Sequence, residues 1–125
     1  MKIIITATSN SIDQEFNPRF GRCEYFIQFD SETKAWQVFD NPGANASGGA
    51  GPLAVQFIAD KGAEAVISGR YGPSAFSALD AAGIPAYIAE QGSVRKVLEQ
   101  FLADELKTVN APTGEGFHGG NPRQK

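Results

Sequence analysis

The chain has little of what most catalytic and metal sites are built from. Its 125 residues include one cysteine, one histidine, one tryptophan and one methionine. A single cysteine excludes an intrachain disulfide and fits a reducing compartment. It also gives no ligand spacing of its own. No Ser/His/Asp order and no histidine-containing motif is visible. Lys and Arg (11) do not exceed Asp and Glu (14), and the net charge of −3 argues against a general nucleic-acid or membrane-surface binder. Only a local basic patch stays open. No apolar run approaches the ~18 residues of a bilayer-spanning helix. Lys2-Ile3-Ile4-Ile5 is too short for a signal-peptide core, so a cytoplasmic location is expected. What is present is ordinary for one globular domain: 42% apolar and 20% charged residues.

Hydrophobic periodicity gives the order β-β-β-α-β-α-β-α. Lys2 to Ala7 reads as a buried strand. Tyr25, Ile27 and Phe29 alternate with Phe26 and Gln28, and Trp36 and Val38 alternate with Gln37 and Phe39. Asp30-Ser31-Glu32-Thr33 between them is turn chemistry, so the two strands form a hairpin. Pro52 is expected to open a helix with Leu53, Ala54, Phe57 and Ile58 on one face, ended by Gly62. Ala65-Val66-Ile67 is a short buried strand. Pro73 opens a second helix, stopped by Gly83. Ile84 to Ala89 is the fifth strand, and Ser93 caps a third helix carrying Val94, Val97, Leu98, Phe101 and Leu102. The alternating second half implies right-handed parallel crossovers. The expected fold is therefore α/β: a mixed five-stranded sheet, order 3-2-1-4-5, with three helices. From Thr108 the sequence turns Gly- and Pro-rich and ends basic. We expect a domain over residues 1–107 and a flexible tail over residues 108–125.

This topology sends four loops to one sheet edge, at the carboxyl ends of the parallel strands, where open α/β sheets bind ligands. They are the Arg19–Cys23 loop, the glycine loop at 43–51, Ser68–Gly72 and Ala89–Gly92. The edge collects Arg19, Arg22 and Arg70, the glycines Gly21, Gly48, Gly49, Gly51 and Gly69, Cys23, and three helix N-termini whose free N–H groups favour anions. Each feature has a plain alternative. Cys23 is either a thiolate ligand for a metal or cluster, favoured by Arg22 and opposed by Glu24, or a small semi-buried residue at a strand start. His118 is either a ligand brought back from the tail or a solvated side chain. A return of some 25–30 Å is within the ~40 Å that twelve extended steps from Leu106 allow. The glycine loop is an anion nest or a flexible connection. No Gly-Lys-Ser/Thr follows it and it does not follow the first strand, so the Walker and dinucleotide patterns are rejected. The arginines are anion clamps or solvated charges. Tyr71 and Trp36 read as packing residues. The sheet order is that of ribonuclease H-like folds, whose nucleases carry a metal-binding carboxylate on the first strand. Lys2 to Ala7 has none, which argues against two-metal nuclease chemistry.

Several pieces together resemble the dinitrogenase iron–molybdenum cofactor biosynthesis family. They are Phe20-Gly21-Arg22 before an aromatic strand ending Phe29-Asp30, Asn41 after the third strand, and Gly48-Gly49-Ala50-Gly51. Ser68-Gly69-Arg70-Tyr71-Gly72 with Ala75 and Leu79, and Gly83-Ile84, complete the set over about residues 1–105. The resemblance implies a ribonuclease H-like three-layer fold without hydrolytic activity. It also implies binding, carriage or delivery of an anionic iron–sulfur or iron–molybdenum–sulfur cluster, with a cofactor-assembly or nitrogenase-like protein as partner. Arg19, Gly21, Arg22, Gly48, Gly49, Gly51, Gly69 and Arg70 would cradle such a cluster, and Cys23 and His118 would be its soft ligands. Two other readings of the same edge stand beside it: a module for a phosphate-bearing or other small anion, and an interaction or regulatory module for a partner enzyme.

Overall fold

A computed structural model describes residues 1–46 and 48–111. Strands β1 (Lys2–Ala7), β2 (Tyr25–Asp30), β3 (Trp36–Asp40), β4 (Ala65–Ser68), β5 (Ala86–Ile88) and β6 (Lys107–Thr108) form one sheet in the order β3-β2-β1-β4-β5-β6. The β1–β4 and β4–β5 pairs are parallel, and β1–β2 and β2–β3 are antiparallel, as the alternation of elements requires. Among the described residues the sheet has six strands where five were expected. The added β6 is a two-residue strand antiparallel to β5, with Tyr87 opposite Thr108. Val109 N–H extends the pairing to the Ala86 carbonyl at 2.9 Å. Two residues show no periodicity, so nothing in their pattern marks them as a strand.

The sheet is covered on both faces, giving three layers. Alternation along β1 sends Ile4 to one face and Ile3 and Ile5 to the other, all fully buried. Ile4, Phe26 and Val66 pack under α1 (Ala50–Asp60) and α2 (Pro73–Ala82), which contribute Ala54, Val55, Ile58, Ala75 and Leu79. Ile3, Ile5, Ile27 and Ile67 pack under α3 (Val94–Leu102) through Val94, Val97 and Leu98. α1 begins two residues before Pro52, which stands at its third position. α1 and α2 follow β3 and β4, so their N-termini meet at the carboxyl edge of the sheet. Their approach depends on small residues: a Cβ on Gly51 would lie 2.9 Å from the Ala75 Cβ.

Candidate functional site

The first edge loop is fastened to the ends of β1 and β4. Asn17 N–H donates to the Thr6 carbonyl at 2.9 Å. Gly69 and Arg70 N–H both donate to the Pro18 carbonyl, at 3.1 and 2.6 Å, and Phe20 N–H donates to the Arg70 carbonyl at 3.2 Å. Beneath them, the buried Thr6 hydroxyl pairs with Ser68 Oγ at 2.9 Å and also donates to the Asn17 carbonyl. Arg19 and Arg70 therefore sit side by side as a parallel bridge. Gly69 permits this contact, since a Cβ there would lie 2.6 Å from the Pro18 Cβ.

The loop then makes a 3₁₀ turn over Phe20–Arg22 that buries Phe20 and leaves Arg22 exposed. The guanidinium of Arg22 donates to the Ala46 carbonyl of the glycine loop at 2.7 Å. Gly21 rests on α1, where a Cβ would come 3.3 Å from the Gly51 N and Cα. Between this turn and the two helix starts lies a cavity of about 270 Å³, lined by Gly21, Arg22, Gly49–Pro52 and Gly72–Ala75.

The electrostatics of the cavity follow from how its helices begin. α1 is preceded by Gly49 in the left-handed conformation (φ 71°) and α2 by Gly72 in extended conformation, and neither glycine has a side chain to cap its helix. Neither first turn holds an acidic residue. Among the described residues, the N–H groups of Ala50, Gly51, Ser74 and Ala75 have no acceptor outside their helices. Arg19, Arg22 and Arg70 form no ion pair among the described residues, whereas Arg95 is paired with Asp13 at 2.9 Å. Unsatisfied first-turn donors and the positive ends of two helix dipoles thus converge on one small cavity with a guanidinium at its lip.

The fourth loop does not join the site. β5 leads to α3 on the opposite face, and the α3 N-terminus is already satisfied. Ser93 Oγ accepts from Lys96 N–H at 3.1 Å. Val94 and Arg95 N–H donate to the carbonyls of Gln14 and Ile12 at 2.9 and 2.8 Å. Two helix N-termini, not three, face the cavity. Of the residues expected at the site, Gly21, Arg22, Gly49 and Gly51 line it together. Gly48 is the exposed neighbour of Gly49, and Arg19, Gly69 and Arg70 lie on the adjoining loops.

Cys23 is placed elsewhere. It is fully buried among Ile4, Phe20, Phe26 and Tyr71, with its thiol on the Phe20 carbonyl at 3.3 Å. Burial pushes the thiol up to about 12, with the Glu24 charge adding to the effect and hydrogen bonds from Ala7 and Asn41 opposing it. It is held as a thiol inside the core. His118 lies outside the described residues, and β6 leaves the sheet running opposite to β5, away from the carboxyl edge. No three His, Cys, Asp or Glu side chains among the described residues are grouped to hold a metal ion.

Ser74 and Ala75 were not read from the sequence as site residues. The available signal was the repeat of an uncapped glycine and a proline at both helix starts, Gly49-Ala50-Gly51-Pro52 and Gly72-Pro73. Tyr71 is buried, with its hydroxyl on the Tyr87 carbonyl at 2.6 Å, and Trp36 packs on Phe29 with ring centres 4.7 Å apart.

The comparisons with known proteins agree with this architecture. Residues 1–104 match the family model described as dinitrogenase iron-molybdenum cofactor. The chain is similar to the apo form of the orange protein from Desulfovibrio gigas, at 35% identity and TM-score 0.86, covering 90% of this chain and 96% of that one. It is similar to a NifB-like protein from Thermotoga, at 34% identity and TM-score 0.82, covering 92% and 98%. It is also 31% identical to an uncharacterized protein of Methanocaldococcus jannaschii, over 86% of this chain and 90% of that protein.

Proposed function

Because the chain belongs to the dinitrogenase iron–molybdenum cofactor family, we propose that it binds, carries or delivers an anionic iron–sulfur or iron–molybdenum–sulfur cluster during metallocofactor assembly, without catalysing a reaction. The cluster is cargo. The observation that carries the reading is the cavity between two uncapped helix N-termini, with Arg22 at its lip. At about 270 Å³ it stands at the small end of the ~300–1,000 Å³ range of small-molecule and cofactor pockets, with room for a compact anion. It offers no thiolate, imidazole or carboxylate among the described residues. A cluster that brings its own sulfides can be held there by N–H donors and guanidinium, with its metals bound to no described residue. The similarity to a protein described in an apo form fits a site that fills and empties.

On this reading Arg22, Gly21, Gly49, Gly51, Ser74 and Ala75 contact the cargo, and Arg19 and Arg70 add positive potential beside them. Cys23 supports the fold beneath the turn. The partner is a cofactor-assembly or nitrogenase-like protein that supplies or receives the cargo. The test is anaerobic reconstitution with iron, sulfide and molybdate. Wild-type and Cys23→Ala protein should gain metal and visible absorbance, and Arg22→Ala should lose most of both. The reading fails if wild-type protein takes up no metal, or if Arg22→Ala loads fully. A loss of loading in His118→Ala would add a ligand from beyond the described residues. A small phosphate-type anion is the second reading of the same donors. Phosphate raising thermal stability where metals and sulfide do not would select it.

A further inference from the structure

Asn41 is buried, with 6% of its surface exposed, and lies immediately after β3 without lining the cavity. Its side chain is used at both ends. Nδ2 donates to the Gly21 carbonyl at 3.2 Å and to the Cys23 carbonyl at 2.8 Å. Oδ1 accepts from Gly43 N–H at 2.8 Å. The main chain adds two more ties: its N–H donates to the Glu24 carbonyl at 3.1 Å, and its carbonyl accepts from Ala44 N–H at 3.2 Å. One residue thus joins the Arg22 turn to the glycine loop.

Both joined segments press on the first turn of α1. Gly21 meets Gly51, and Gly43 meets Ala50, where a Cβ would fall 2.7 Å from the Ala50 carbonyl oxygen. We propose that Asn41 is the positioning residue of the cavity, and that through Gly21 and Gly43 it sets the distance between the Arg22 turn and the first N–H groups of α1. This rests on the anion-cargo reading for its functional consequence, but not for the clamp itself.

The chemistry requires an amide of this length. Two carbonyls need a side chain with two donors, and one N–H needs an acceptor on the same short stem. Aspartate has the shape but turns both donors into acceptors facing carbonyls. Serine is too short to span the three groups, and glutamine is one methylene too long.

The test uses Asn41→Asp and Asn41→Ser, the second because it introduces no charge and keeps a folded comparison if the first unfolds. Amide hydrogen exchange is read at Arg22, Gly43 and Leu53, the last donating to the Gly49 carbonyl at 3.0 Å in the first turn of α1, and anaerobic binding of molybdate and tetrathiomolybdate is measured at matched folded fraction. We expect the substitutions to quicken exchange, relative to wild type, more at these three positions than across β1 and β4, and to weaken binding of whichever anion wild-type protein takes at least tenfold. In Asn41→Asp, acidification that protonates the new carboxyl returns one donor and should recover part of the binding, relative to wild type at the same pH. Exchange changed no more at Arg22, Gly43 and Leu53 than in the central strands overturns the clamp. Faster local exchange with unchanged affinity overturns its link to the site. If wild-type protein binds neither anion, the cargo reading falls, while the exchange data still decide the clamp.

Discussion

Gly72→Asp should stabilise the fold and weaken cargo binding about a hundredfold, two effects of opposite sign from one side chain. Gly72 precedes α2 with φ −68° and ψ 171°, the extended conformation of an ordinary N-cap, and uses no side chain there. A Cβ at this position would meet nothing within 4 Å. Aspartate can therefore accept from the N–H of Ser74 or Ala75. Replacing a glycine cap by aspartate gains a few tenths of a kcal/mol, and a carboxylate at the helix N-terminus adds roughly 0.3–1 kcal/mol. The sum, about 0.5–1 kcal/mol, corresponds to a rise of roughly 2–5 °C in Tm for a domain of this size. The same carboxylate takes the donors proposed for the cargo and places a like charge beside it. Two unit charges roughly 5 Å apart at an effective dielectric of about 20 repel by about 3 kcal/mol, on the order of a hundredfold in Kd. Thermal unfolding and anaerobic titration measure the two halves separately. Gly72→Ala adds bulk without charge and should lose far less binding. A lower Tm for Gly72→Asp would refute the capping argument, and undiminished binding would refute the site.

Other consequences follow from packing and from buried groups. Gly51→Ala forces a methyl against Ala75, 2.9 Å from its Cβ and 3.1 Å from its main chain, and should cost about 1–3 kcal/mol in denaturant unfolding. Tyr71→Phe removes the hydroxyl that donates to the Tyr87 carbonyl at 2.6 Å and should cost about 1–2 kcal/mol. The Cys23 thiol is raised from 9.0 to about 12 in the fold, so the unfolded chain loses its proton first. Stability should then fall by about 1.4 kcal/mol per pH unit as pH rises above about 9, over the window up to about 12. Cys23→Ala should remove that slope between pH 9 and 10, before the buried Tyr71, which is also raised, begins to contribute. In the folded protein at pH 8, Cys23 should resist alkylation and react only on unfolding.

What was legible in the sequence was set by local pattern. The strand order follows from a hairpin with turn residues, two strand–helix units and handedness, and each is written in short segments such as Tyr25–Asp30 and Ala65–Ser68. Arg22 and the glycines at 49 and 51 were legible because the same topology sends their loops to one edge. Long-range contacts were not. Nothing near Ser93 shows that Val94 and Arg95 give their N–H groups to Gln14 and Ile12, some 80 residues earlier, so α3 looked like a third anion site. Cys23 follows a charged residue and precedes another, and only the 3₁₀ turn at Phe20–Arg22 shows that it points into the core. The β6 strand is defined by its partner β5 and by no pattern of its own. Asn41 stood out as part of a motif, but its role depends on three groups spread between Gly21 and Gly43.

The central claim is that cargo sits between the N-termini of α1 and α2. The direct measurement is a backbone and arginine side-chain NMR map of the protein before and after anaerobic loading with iron, sulfide and molybdate. The account predicts the largest changes at the amides of Ala50, Gly51, Ser74 and Ala75 and at the Arg22 guanidinium, with Val94, Arg95 and the 89–92 loop unchanged. Bound metal with its largest changes at Gln91, Ser93 and Gln100 instead, beside α3, would contradict it.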